Sequence, residues 1–165
     1  MENSALWGFL GTLIGACTSI ITTLIVNANS KKLQIEAISL QYQEKQKNFQ
    51  RETILELQEY ILKCMRSITQ IYLHDKKTYQ NENIRVPIPD KIDAEYMENI
   101  RKLVVLEARI IQDSLRLEIS DFRNLMSDMA LANTAQSSSD AFDNIFKQHV
   151  KVIDALGEAI RNEYS

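Results

Sequence analysis

The chain has few of the residues on which most catalytic and metal-binding sites depend. Its 165 residues include two histidines, two cysteines, two prolines and four glycines. The only histidines are His74 and His149, and neither Cys-x-x-Cys nor His-Glu-x-x-His occurs. Only one glycine, Gly157, follows residue 26, which excludes a glycine-rich phosphate loop in that part of the chain. We therefore expect no enzymatic activity, no metal site and no cofactor.

The scarcity of turn-forming residues also predicts the fold class. With Pro87 and Pro89 as its only prolines, the chain lacks the turns of an all-β domain and is predicted to be all-α. Cys17 and Cys64 cannot build an extracellular disulfide framework, and their scarcity fits a reducing cytoplasm. The net charge is −3 with both signs mixed, so we expect no duplex nucleic acid as a partner.

A long uncharged run near the N-terminus is the most informative feature present. Residues 5–26 carry no charged side chain, and as a helix they extend about 33 Å, enough to cross a bilayer. Trp7 suits one membrane interface, while Lys31 and Lys32 follow the other end. The single run and the positive-inside bias predict a single-pass membrane protein with its N-terminus outside and its C-terminal domain in the cytoplasm.

Two processing alternatives apply to the same run. It resembles a removable signal peptide, and the residues before Cys17 resemble a lipoprotein acylation box. The absence of basic residues ahead of the run, and its length, count against both. The remaining residues after the anchor, about 135, suffice for one modest domain.

Small residues recur along one side of the anchor. Gly11, Gly15, Ser19 and Thr23 are spaced four apart and include a GxxxG pair. Such a ridge lets two helix backbones approach closely in lipid. It predicts self-association, with a passive anchor as the alternative.

The rest of the chain divides into a stalk and a bundle. After the anchor at residues 1–29, residues 30–53 form a polar helical stalk with one apolar stripe interrupted by Lys45: Ile35, Ile38, Tyr42 and Phe49. Residues 54–165 are predicted to form a cytoplasmic bundle of about three helices. Its linker lies near residues 78–92, where Pro87 and Pro89 also allow a short strand, and a second break lies near residues 133–139.

Three apolar patterns define the predicted bundle. A seam of alternating three- and four-residue steps contains Ile54, Leu57, Ile61, Cys64, Ile68 and Ile71. One long central helix over residues 93–132, capped by Asp90 or Asp93, carries one apolar face of Met97, Ile100, Val104, Ile111, Leu115, Phe122, Met126 and Met129. An adjoining apolar face of Leu103, Leu106, Ile110 and Leu117 predicts neighbours on more than one side of this helix. A final helix, capped by Ser138 or Ser139, carries Phe142, Phe146, His149, Ile153, Leu156 and Ile160. His149 is interpreted as a core histidine bonded to a neighbour, with a pH-sensing or ligand-binding role as the alternative.

Basic residues recur every seven positions along the predicted central helix. This basic stripe, our candidate anion-binding site, consists of Lys102, Arg109, Arg116 and Arg123. The alternative is a solvated face with local pairing, in which Glu98 serves Lys102 and Asp113 serves Arg109 or Arg116. Arg123 has no acidic residue three or four positions away.

The layout of anchor, stalk and helical domain resembles that of the small membrane effectors of bacterial anti-phage immunity. In the type III CRISPR accessory group, a cytosolic domain senses a cyclic oligoadenylate, and the spans then compromise the membrane. The resemblance implies an oligomeric effector of the bacterial inner membrane in which the basic stripe binds an anionic small molecule. Two other functions fit the sequence: a passive tether that docks a cytosolic protein, and a phage lysis protein of spanin or holin type with a periplasmic helical domain.

Overall fold

The protein is helical throughout the part that the structure describes. This computed structural model describes the backbone of residues 2–82 and 86–163, and the side chains of residues 7–79 and 86–162. Within those ranges the chain forms four helices and no strand: α1 Glu2–Glu82, α2 Asp90–Glu107, α3 Asp113–Ala130 and α4 Ala135–Glu163. The predicted all-α class is confirmed. Residues 54–165 were predicted to form about three helices. They include the end of α1 and the whole of α2, α3 and α4, because the predicted central helix is two helices, α2 and α3.

The chain divides into two compact units, Met1–Gln46 and Lys47–Ser165. The division falls inside the predicted stalk of residues 30–53. Every side chain described in the first unit is exposed, including Ile35, Ile38 and Tyr42 of the predicted stripe. The second unit contains the hydrophobic core.

Among the described helices, α1 alone is long and apolar enough to cross a membrane, and the qualifying stretch lies near the N-terminus. Core helices of soluble proteins and signal sequences satisfy the same criterion. None of the qualifying stretch is buried within the chain, which distinguishes it from a core helix.

All four helices contribute to one core in the second unit. The seam of α1 predicted from the sequence is confirmed, since every member from Ile54 to Ile71 is at most 3% exposed. It packs against side chains of the other three helices, among them Leu103 of α2, Phe122 of α3 and Val152 of α4. Shared burial of these apolar side chains is what holds the helices together.

The predicted central helix is interrupted at residues 108–112. On its first half the adjoining face of Leu103, Leu106 and Ile110 lies in the core, and the predicted main face does not. The buried residues of α2 and the segment after it are Tyr96, Asn99, Leu103, Leu106 and Ile110, while Met97, Val104 and Ile111 are exposed. On α3 the buried residues are Leu115, Ile119, Phe122, Met126 and Met129. Ile110 and Leu115 are five residues apart, whereas an unbroken seam steps by three or four. Because the chain is interrupted between these two residues, the apolar face of α3 can pack against the core even though the spacing is irregular.

The final helix begins earlier and faces the core differently than predicted. Thr134, and not Ser138 or Ser139, caps it: the Ser137 N–H donates to the Thr134 hydroxyl at 3.0 Å, and the Thr134 N–H donates to the Ser137 hydroxyl at 3.1 Å. The buried positions of α4 include Ile145, Gln148, Val152, Leu156 and Ala159. Phe146 is 54% exposed, so the predicted face was displaced around the helix.

The connection between α1 and α2 contains no strand at residues 86–89. Ile84 and Arg85, the start of the proposed strand, lie outside the described residues. Helix α2 begins at Asp90 with Pro89 at the N-cap and without a side-chain cap bond, so neither Asp90 nor Asp93 caps it. Both carboxylates lie in the first turn, where they interact favourably with the helix dipole.

Candidate functional site

The break between α2 and α3 separates the four members of the basic stripe. Lys102 is exposed on α2, Arg109 lies in the turn that follows, and Arg116 and Arg123 lie on α3. The stripe therefore does not run along one continuous helix. Only Arg116 and Arg123 keep the predicted seven-residue relationship on a single helix.

Each of the three arginines has an acidic partner within the chain. The Arg109 guanidinium lies 3.9 Å from the Glu56 carboxylate, and Arg116 pairs with Asp113 three residues before it. These two pairs are largely exposed and contribute little to stability. An incoming anion would compete with both carboxylates for the guanidinium groups.

The third pair joins α3 to α2 and is the least exposed. The Arg123 Nε lies 3.1 Å from the Glu107 Oε2, with the two side chains 32% and 14% exposed. The atoms are close but poorly aligned as a hydrogen bond, so the attraction is mainly Coulombic. Glu107 is 16 positions before Arg123, whereas ion pairs within one helix join residues three or four positions apart. The sequence pattern therefore did not predict this partner. The break makes it available by folding α3 back beside α2.

Gln50 holds the break in place, and sequence reasoning missed it. Its amide Nε2 donates to the Arg109 carbonyl at 2.9 Å, and its Oε1 accepts from the Ile111 N–H at 3.2 Å. The side chain thus satisfies two backbone groups that helix termination leaves without partners. One signal was present: Gln50 lies seven residues before Leu57, so it continues the apolar seam with a polar residue.

Buried polar pairs also fix the other helices to each other. The Asn99 amide donates to the Ser67 hydroxyl at 3.0 Å, joining α2 to α1. The Ser138 hydroxyl donates to the Asp75 carboxylate at 3.1 Å, joining α4 to α1. The Gln148 amide donates to the Glu118 carboxylate at 2.6 Å, joining α4 to α3. Such pairs give each helix one favoured register because a shifted register would leave buried polar groups unpaired.

A cavity of about 350 Å³ lies beside the Ser138–Asp75 pair. It is lined by Tyr72, Lys76, Tyr79, Ala135, Ser138 and Ser139. Tyr72 stacks on Phe142 with ring centroids 4.3 Å apart, which fixes one wall. The cavity brings together aromatic, hydroxyl and ammonium groups, but the buried Asp75 carboxylate beneath it opposes an anion.

His149 is half-buried on α4, as its place in the apolar pattern suggested. Its ring lies 6.2 Å from the Phe122 ring, and its Nε2 is buried with no hydrogen-bond partner. The predicted hydrogen bond to a neighbour is therefore not made by this nitrogen. Burial lowers the pKa of His149 below its usual 6.5, because the charged imidazolium loses hydration there.

We expect His149 to make the fold less stable in acid. The unfolded chain binds a proton near pH 6.5 and the folded chain only at lower pH, so stability falls as the pH drops through 6.5. Below the pKa of the folded state the loss stops growing. Urea unfolding of the full chain between pH 8 and pH 5 measures this slope, and His149→Leu should flatten it. An unchanged slope in that variant would assign the effect to other groups.

The small-residue ridge of α1 is open along its length. A Cβ added at Gly8, Gly11 or Gly15 would meet nothing within 4 Å. The hydroxyls of Thr18, Thr22 and Thr23 donate to carbonyls four residues earlier, each at 2.8 Å. The Thr23 hydroxyl of the ridge, like the neighbouring Thr18 and Thr22 hydroxyls, is therefore satisfied within the helix.

Among the described residues, no three His, Cys, Asp or Glu side chains come together in a way that would hold a metal ion. Cys64 is fully buried, and burial raises the pKa of its thiol to about 12. The chain matches no protein-family model, no curated protein and no solved structure.

Proposed function

We propose that this protein is a non-enzymatic, self-associating membrane effector. Its N-terminal helix crosses the bacterial inner membrane, with the N-terminus outside and the four-helix core in the cytoplasm. On receiving a signal, the assembled spans disturb the membrane, as in anti-phage defence.

One observation carries the proposal. The core of the second unit is complete without any residue before 47, while the apolar side chains of residues 7–26 are uncovered. So large an apolar surface is stable only in lipid or against other helices. The open ridge of Gly11, Gly15, Ser19 and Thr23 supplies a surface on which such helices can pack.

The signal is proposed to be a ligand bound by the cytoplasmic unit, with an anionic nucleotide second messenger as the first candidate. Lys102, Arg109, Arg116 and Arg123 are the proposed contacts. A polyanion would have to displace Glu56, Asp113 and Glu107 from the three arginines.

Those ion pairs favour a second candidate function, a passive tether. If the arginines stay paired with their own carboxylates, the folded unit serves to dock a cytosolic protein at the membrane. The exposed apolar side chains of Met97, Val104 and Ile111 on and just after α2 are a suitable docking surface.

Dye entry and membrane potential in bacteria expressing the full chain test the effector proposal, with and without phage infection. We expect the wild type to permeabilise the membrane, and the Gly11→Ile, Gly15→Ile double variant to lose this activity. The matched control is Gly11→Ala, Gly15→Ala, which keeps the ridge small and should stay active. Because no atom of the chain lies near either added Cβ, the substitutions leave the fold of the chain itself intact.

Intact membranes under both conditions would rule out the effector and favour the tether. A reporter fused after Ser165 tests the orientation independently. A periplasmic signal there would overturn the proposed topology and favour the lysis protein.

A further inference from the structure

Two exposed faces run along the part of α1 that follows the anchor, within the first unit. The first face consists of Ile35, Ile38, Tyr42 and Lys45. The second face consists of Leu33, Ala37, Leu40 and Glu44. All eight side chains are exposed, and the five largest apolar ones are between 52% and 69% exposed.

The two faces lie on nearly opposite sides of the helix. At about 100° per residue, their centres are about 150° apart around the axis. The residues of the two faces alternate along the chain. Each apolar residue of one face therefore lies at nearly the same position along the helix axis as an apolar residue of the other face. At the end of the series, Lys45 and Glu44 differ by only about 1.5 Å along the axis.

The charges decide which contact between two parallel copies is favourable. If two first faces met, Lys45 would approach Lys45 of the other copy, and if two second faces met, Glu44 would approach Glu44. Only a first face against a second face brings Lys45 close to Glu44. The residues that flank the first face are uncharged: Gln34, Ser39, Gln41 and Gln46. The charged residues that flank the second face, Glu36 and Lys47, are of opposite sign.

We infer that copies of this chain pack side by side in parallel, the first face of each against the second face of the next. The inference rests on the proposed function, because a shared membrane anchor is what makes the copies parallel and level. The contact joins two different surfaces, so it is heterologous and continues from copy to copy. Such contacts close into a ring or form an open row, whereas a two-fold dimer would stop at two copies.

Charge reversal in the full chain tests the inference. Lys45→Glu brings a second carboxylate against Glu44, and Glu44→Lys brings a second ammonium group against Lys45, so each single variant should lose higher-order assembly by about fivefold. The double variant with both reversals should regain it. The two single variants expressed together should also regain it, by alternating along the assembly. Gln43→Lys is the matched control, because Gln43 is exposed and lies about 90° or more around the helix from the centre of either face.

Assembly is measured by chemical crosslinking in intact membranes, and then by native electrophoresis in mild detergent. Single variants that assemble like the Gln43→Lys control would overturn the inference. Disruption by Lys45→Glu that the second reversal does not repair would also overturn it, and would indicate a different partner for the first face. Dye entry is measured separately from assembly. The assembly result therefore tests the contact between the two faces, and the dye result tests the effector function.

Discussion

Phe122→Ala should destabilise the folded unit by about 3–5 kcal/mol, a large share of the roughly 5–15 kcal/mol that stabilises a typical domain. Phe122 is fully buried on α3 and is among the largest side chains of the core. Removing the Phe122 ring reduces the apolar area buried in the core and leaves a cavity that the surrounding helices fill only in part. It also removes the ring beside His149.

The Cys64 thiol offers a direct measurement of this loss. It is fully buried, so a thiol reagent reaches it only when the core opens. Labelling of Cys64 across a urea series, in a Cys17→Ser background, gives the free energy of unfolding of the full chain in detergent. Phe146→Ala is the matched control, since Phe146 is 54% exposed and its loss should cost less than about 0.5 kcal/mol. Equal costs for the two variants would contradict the core described above.

Gln50→Ala should cost about 1–3 kcal/mol, because it leaves the Arg109 carbonyl and the Ile111 N–H without their partner at a partly buried turn. Gln50→Glu should cost at least as much at neutral pH, because it buries a carboxylate and sets one of its oxygens against the Arg109 carbonyl oxygen, although it still accepts from the Ile111 N–H. The same Cys64 measurement gives both values.

Hydrogen exchange locates the Gln50 effect in the chain. Exchange at the Ile111 amide should accelerate in Gln50→Ala, and should accelerate less in Gln50→Glu, which keeps an acceptor for that amide. Gln43→Ala, an exposed glutamine on the same helix, should change neither measurement. Fast exchange at Ile111 in the wild-type chain would show that the side chain does not hold the break.

The chain's local patterns determined its fold class, its candidate membrane helix and the buried seam of α1. The scarcity of glycine and proline predicted an all-α chain. The uncharged run before residue 27 predicted one helix able to span a membrane. The seam from Ile54 to Ile71 was also readable, because one unbroken helix with one neighbouring surface imposes a regular step on its buried residues.

Only the tertiary structure decided where the second half turns and which basic groups are paired. Leu103 and Val104 are equally apolar neighbours, and burial of one rather than the other depends on how α2 lies against α1. The break at residues 108–112 depends on a glutamine 59 residues before Arg109. Arg123 finds Glu107 only once that break has formed. Periodicity reports interactions within one helix, whereas these contacts join residues that are distant in the chain and become neighbours only when the helices pack.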